Sequence, residues 1–225
     1  MVVTKRNKLT KNFHEYLLAA TYSIMSVVLA HPSAPPPAGK MTLWNEAQYM
    51  RNKLKGLGIP TPSLISISDD TIIEEYVEGG NLYKAFADED YEKNNVCSLA
   101  FQAGAMTGKF HKAGYVFADN KSQNYLVNYD KSLLRTDLGF IHKTNSIFAQ
   151  SMDIASFLAS VIDFEQSQYE IIEQGFRDGY ISEVNRDFPY LYIVLRNLLS
   201  LGFASNQSAM LQNMTKSPNK QKKKN

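Results

Sequence analysis

His31-Pro-Ser-Ala-Pro-Pro-Pro-Ala-Gly-Lys40 carries four prolines in ten residues. Proline can neither donate to a β-ladder nor continue a helix, so this stretch is a loop that separates the elements on either side. Ahead of it, Leu17 to Ala30 is a 14-residue apolar run behind a basic start of Lys5, Arg6, Lys8 and Lys11. The run falls short of the about 20 residues that span a bilayer. His14 and Glu15 in the leader, and Thr21, Tyr22, Ser23 and Ser26 within the run, speak against a cleaved signal peptide. Tyr22, Ile24, Ser26 and Val28 alternate with Ser23, Met25 and Val27. That alternation predicts a strand buried on both faces, in a cytoplasmic protein.

Beyond the loop, Leu43, Ala47, Met50, Leu54 and Leu57 fall on one helix face, with Thr42 as a plausible N-cap and Gly56 and Gly58 as stops. Pro60 and Pro62 force extended structure, and two strands are expected at 63–68 and 71–77, joined by an Asp69-Asp70 turn. After Gly79-Gly80 the pattern turns helical. Val96, Leu99, Ala103, Met106 and Phe110 mark a long helix ending at Gly114, and further helices are expected at 152–164, 168–180 and 190–201. Between them 125–128 and 132–136 read as a hairpin around Tyr129-Asp130-Lys131. Strands with one helix, then helices with one hairpin, is an α+β order in two lobes: a β-rich 1–78 and a helical 79–210, followed by a tail, 211–225.

The net charge is +2, yet the last ten residues hold five lysines, and without them the chain stands at −3. The body is therefore no nucleic-acid binder, and any contact with RNA would come from the Lys-rich tail, expected to be disordered. A single cysteine, Cys97, and four scattered histidines exclude a disulfide framework and a zinc site.

The hairpin carries the chemistry. Asn124 precedes its first strand and Asp137 follows its second, and a hairpin brings its open ends together. Asp119 lies five residues upstream in the feeding loop, and Lys121 can swing its ammonium over the same mouth. Two carboxylates, an amide and a lysine converging there could hold Mg²⁺ and a phosphoryl group while one carboxylate acts as a base.

The run Asp119-Asn-Lys121-Ser-Gln-Asn124, followed by Asp137-Leu-Gly139, resembles the catalytic core of the protein kinase superfamily. Glu75-Tyr-Val77-Glu-Gly79, Gly108-Lys-Phe-His111 and the early Asp153 are similar to the small atypical kinases, namely the RIO kinases and the KEOPS-complex kinase subunit. The resemblance spans roughly residues 40–180. It implies a two-lobed, protein-kinase-like fold with a reduced N-terminal β lobe and a compact helical C-terminal lobe. It also implies an ATP- and Mg²⁺-dependent serine/threonine phosphotransferase. Asp119 would orient or deprotonate the acceptor hydroxyl, Lys121 would neutralise the transferring phosphate, and Asn124 and Asp137 would hold Mg²⁺. Glu46 would pair with an ATP-contacting lysine, the backbone at Glu75 and Val77 would take the adenine edge, and Asp153 would brace the catalytic loop. The implied partner is a protein substrate or a subunit of a KEOPS-like assembly, with no membrane.

Three features depart from the family pattern. Phe117 stands where a histidine usually precedes the catalytic aspartate, residues 1–38 contain no glycine for a phosphate-covering loop, and the phosphate-contacting lysine is displaced. With the third strand at Ser26–Ala30 the lysine position falls on Ala30; the candidates to replace it are Lys40 and the N-terminal Lys5, Arg6, Lys8 and Lys11. A pseudokinase scaffold and a small-molecule kinase are the alternative readings.

Overall fold

The apolar run ahead of the proline loop is a helix, α1 (Leu9–Val28), and not the strand that its alternation predicts. The residues α1 turns inward are Glu15, Ala19, Tyr22, Ser26 and Leu29, spaced at helical intervals, while Leu17, Leu18, Ile24, Val27 and Val28 lie outside. Most of the inward line is polar or small because it serves the returning proline loop. Ser26 Oγ accepts from the Ser33 N–H at 3.2 Å, and Glu15 Oε2 accepts from the Gly39 N–H at 2.7 Å. Helix and loop therefore run antiparallel, side by side.

The computed structural model describes residues 1–6, 9–68, 71–88, 92–203 and 206–215. The Asp69-Asp70 turn and the Lys-rich tail from Lys216 lie outside the described residues. An unforeseen strand, β1 (Val2–Arg6), joins β2 (Leu64–Ser68) and β3 (Thr71–Glu75) in an antiparallel sheet of order β1-β3-β2. The expected first helix forms in three pieces: α2 (Lys40–Trp44), a π-helical turn at Asn45–Met50, and α3 (Arg51–Gly56). A short α4 (Leu82–Ala87), capped by Asn81, leads to the long α5 (Lys93–Lys112). The two-residue β4 (Tyr115–Val116) precedes the hairpin β5 (Tyr125–Val127) and β6 (Leu133–Arg135), paired Tyr125 to Arg135 and Val127 to Leu133. β7 (His142–Lys143) pairs back to β4. Helices α6 (Ile147–Ala159), α7 (Gln166–Val184), α8 (Tyr192–Phe203) and α9 (Gln207–Thr215) complete a mixed, mainly helical structure. No helix among the described residues is long and apolar enough to cross a membrane.

The main core lies between α5, α6, α7 and the hairpin, with Phe157 stacked on Phe176 at 4.1 Å between ring centres. A second cluster, Tyr22, Val116, Phe148, Met152 and Leu195, fastens α1 to α6 and α8. Beside it, burial pushes the His142 imidazole below its ordinary value, against the opposing pull of the Phe140 carbonyl and the Asp153 charge.

Two predictions follow from this packing. Helices α5 and α7 meet backbone to backbone: a Cβ at Gly104 would lie 1.9 Å from the Phe176 carbonyl oxygen, and one at Gly179 would lie 2.0 Å from that of Phe101. Gly104→Ala must push the helices apart and should cost about 1–3 kcal/mol or more, read from the urea midpoint. Because the folded imidazole of His142 resists protonation, the unfolded chain binds the extra proton as pH falls below about 6.5. Stability contributed by neutral His142 is thus present above that pH and lost below it. His142→Phe should flatten the acid side of the melting-temperature profile between pH 7 and 5.

Candidate functional site

In the antiparallel register Lys5 faces Ile72 and Val3 faces Glu74, so Lys5 and Glu74 share one face of the sheet as diagonal neighbours. That face is turned toward the helix at 40–56. Glu46, in its π-helical turn, meets Lys5: Nζ donates to Glu46 Oε1 at 2.7 Å and lies 3.1 Å from Glu74 Oε1. Arg51 closes the cluster from α3, 3.1 Å from Glu46 Oε1 and bonded to Glu74 Oε2. Each carboxylate thus touches both cations, and both acids are almost wholly buried. Burial alone would lower the Lys5 pKa. The Glu46 and Glu74 charges, with Asp137 behind them, outweigh it and hold Lys5 above its ordinary value.

Lys5 also donates to Thr136 Oγ1 at 3.1 Å, which ties the cluster to the hairpin mouth. The Thr136 N–H donates to the Asn124 carbonyl at 3.0 Å, so Asp137, the next residue, stands beside Asn124 as hairpin geometry requires. Asn124 Nδ2 donates to the Asp119 carbonyl at 2.7 Å and to Asp119 Oδ2 at 3.0 Å, which leaves Asn124 Oδ1 as an acceptor. Lys121 Nζ sits 3.1 Å from Asp119 Oδ1. Asp119, Lys121 and Asn124 are therefore one hydrogen-bonded group, with Asp137 next to it.

An amide oxygen and a carboxylate are the hard donors that Mg²⁺ takes from proteins, its other ligands coming from water and phosphate. Among the described residues no group of three or more His, Cys, Asp or Glu could hold a metal.

Two buried side chains set the loop that carries Asp119. Asp153, with no exposed surface, accepts from the Phe117 N–H and the Ala118 N–H, each at 2.7 Å. His111 Nε2 donates to it at 3.0 Å, and His111 Nδ1 is hydrogen-bonded at 3.1 Å to Tyr180, whose hydroxyl burial pushes up to about 12. This is the bracing role expected of Asp153. Arg135 was not anticipated. Fully buried, it donates to the carbonyls of Asn124 at 2.7 Å, Asp119 at 2.9 Å and Thr136, and its guanidinium lies over the rings of Phe117 and Tyr125. Phe117, in place of a histidine, serves as that stacking surface. Ala118 and Asp137 both adopt left-handed backbone (φ 62° and 57°), a conformation that persists only where neighbours over-determine it.

The remaining expected residues divide. Glu75 and Val77 lie at and just beyond the end of β3, leading to Gly79, where a Cβ would stand 2.0 Å from the Val127 carbonyl oxygen. The segment after β3 is thereby pinned to the hairpin. Of the candidate cations Lys40 is exposed at the start of α2, and it is Lys5 that reaches Glu46. The reason lies in α1: with that segment helical, the strand beside Glu46 is β1, and the lysine it carries is Lys5. Ala30 lies beyond the end of α1 and on no strand. Glu74, Arg51 and Arg135 escaped the sequence reading. All three sit at inward positions, Glu74 two residues from Ile72 and Arg135 two from Leu133, and a charge on an inward alternation demands a partner.

The four-charge cluster predicts an asymmetry. Either substitution leaves two buried acids to one cation, but Lys5 is the more exposed of the pair and Arg51 also donates to the Pro62 carbonyl. Lys5→Met should therefore cost about 1–2 kcal/mol, and Arg51→Met about 3–5 kcal/mol. Urea unfolding of the two variants, side by side, measures the difference; equal losses would show that the acids depend on Lys5 as much as on Arg51.

No protein-family model matches the chain. It is 30% identical over 138 residues to the EKC/KEOPS complex subunit BUD32 of Encephalitozoon cuniculi, which covers 61% of this chain and 65% of that protein. It is 24% identical over 127 residues to a probable serine/threonine-protein kinase BUD32 homolog of Archaeoglobus fulgidus (56% of this chain, 59% of that protein). A probable bifunctional tRNA threonylcarbamoyladenosine biosynthesis protein of Methanospirillum hungatei is 30% identical over 123 residues, 55% of this chain but 22% of the relative. The chain spans less than two thirds of the length of each of these curated relatives. Over 55–61% of its length the chain is thus 24–30% identical to proteins named as KEOPS subunits, BUD32 kinase homologues and tRNA threonylcarbamoyladenosine biosynthesis proteins, in keeping with the resemblance to the small atypical protein kinases.

Proposed function

We propose that the chain is an ATP- and Mg²⁺-dependent phosphotransferase of the small atypical serine/threonine kinase type. Its two lobes are then an N-terminal one over 1–78, in which α1 and the helix at 40–56 accompany the β1-β3-β2 sheet, and a helical one over 79–210. The observation that carries this reading is the contact of Lys5 with both Glu46 and Thr136, which puts a held cation beside the Asp119, Asn124 and Asp137 group.

In this reading Lys5 binds the α- and β-phosphates, while Glu46 and Glu74 keep its ammonium charged and pointed. The backbone at Glu75 and Val77 takes the adenine edge. Asn124 Oδ1 and the Asp137 carboxylate hold the metal, which when bound neutralises phosphate charge. The acceptor hydroxyl forms its bond to the γ-phosphorus as the bond to the bridging β–γ oxygen breaks and ADP leaves. Its proton passes to Asp119, and Lys121 balances charge on the transferring group.

A second reading has support of its own, because relatives are named as KEOPS subunits. In a KEOPS-like tRNA-modification assembly the chain would serve a partner subunit, and its phosphotransfer could be slow or absent. Labelled ATP separates the two. Autophosphorylation should fall about 10²–10⁴-fold in Asp119→Ala and by orders of magnitude in Lys5→Met, with folds intact by circular dichroism. Calorimetric titration of Mg-ATP should lose its metal dependence in Asp137→Ala. Equal incorporation by wild type and Asp119→Ala, or none by either across Mg²⁺ and Mn²⁺, would favour the scaffold.

A further inference from the structure

A cavity of about 140 Å³ has Asp119 in its lining. Its other walls include Leu18, Thr21 and Met25 of α1, Pro36 of the proline loop, Phe140 just after Gly139, and Met152 and Leu199 of α6 and α8. Thr21, Tyr22 and Ser156 contribute hydroxyls beside Asp119, and most of the remaining wall is apolar. A mainly apolar pocket of that size has room for a molecule as large as benzene. Leu18 is 61% exposed, although it borders the cavity. An apolar group seated there would cover it.

We propose that this cavity seats an aromatic side chain of the acceptor polypeptide, one or two residues from the hydroxyl that Asp119 receives. The proposal rests on the phosphotransferase reading and names its substrate class: a serine or threonine with an aromatic neighbour. Three observations select this occupant. The cavity matches a phenyl ring in volume. It adjoins the carboxylate to which an acceptor hydroxyl must come. In extended chain a flanking residue lies about 3.3–7 Å from the acceptor, within reach of a pocket that shares Asp119 as a wall. The walls supplied by α1 and Pro36 come from the helix and loop inserted between β1 and α2, so the insertion builds the specificity pocket.

The methyl groups of Met25 and Met152 report occupancy directly. With the full chain labelled at methionine methyls, N-acetylphenylalaninamide should shift Met25 and Met152 saturably without nucleotide. Met50 and Met210 should stay in place, and N-acetylserinamide should shift none of the four. Leu199→Trp and Thr21→Trp each fill the cavity from a different side and should weaken binding about tenfold or more. No saturable shift in the wild type, or undiminished shifts in both filled variants that fold, overturns the proposal. In transfer assays, a peptide with phenylalanine beside its serine should exceed its aspartate counterpart about ten- to a hundredfold in kcat/KM. Saturable shifts without transfer to any peptide uphold the cavity and count against the phosphotransferase. Transfer indifferent to the flanking residue, without shifts, does the reverse.

Discussion

A carboxylate with no exposed surface holds the centre of this protein. Asp153 takes two backbone N–H groups of the loop before Asp119 and a histidine N–H from α5, so its charge is spread over three donors from two other segments. An ionised carboxylate out of water is tolerable only with such a donor set, and each donor is fixed in return. Arg135 does the complementary work from the hairpin side, gathering the carbonyls of Asp119, Asn124 and Thr136 around one guanidinium. Between an anion that collects N–H groups and a cation that collects carbonyls, the loop from 117 to 124 has little freedom left. That constraint accounts for the left-handed backbone at Ala118, which would otherwise relax.

The cluster of Lys5, Glu46, Glu74 and Arg51 acts at the next level of organisation. It balances two positive and two negative charges, so burial of the four is far cheaper than burial of any subset. It spans β1, β3 and both sides of the π-helical turn in the interrupted helix at 40–56. The helix is held to the other side as well: Asn45 Nδ2 donates to the carbonyls of Gly139 at 3.0 Å and Ile141 at 2.7 Å, and a Cβ at Gly139 would stand 2.8 Å from that of Thr42. Sheet, helix and the segment following Asp137 are thus one connected unit, with the Lys5 ammonium at the junction.

The helical part was legible because its periodicity and its core coincide. Val96, Leu99, Ala103, Met106 and Phe110 point where a 3.6 period sends them, and α5 forms within a few residues of expectation. The hairpin was legible for a different reason, since its ends had to meet whatever its sides packed against. What failed were segments whose inward residues are polar. Arg135 and Glu74 occupy inward positions of strands of three and five residues, where a charged side chain interrupts the apolar alternation. α1 failed most completely, because a search for apolar stripes finds its outside.

The same inversion explains why the proline loop has so many prolines. As polyproline-like chain, ten residues reach about 31 Å at 3.1 Å each, and twenty residues of helix rise about 30 Å. The loop is therefore of the length needed to return along α1 to where β1 left the sheet. The contacts follow that course: Ser33 lies by Ser26 and Tyr22, and Gly39 by Glu15 and Tyr16. A stiff return segment with few N–H donors asks little of the helix, and Ser26 and Glu15 meet two of those it has. Flexible chain of the same length would cost more entropy to hold extended. The polar line that hid α1 from a periodicity search is the line that brings the chain back, in register, to deliver Glu46 opposite Lys5.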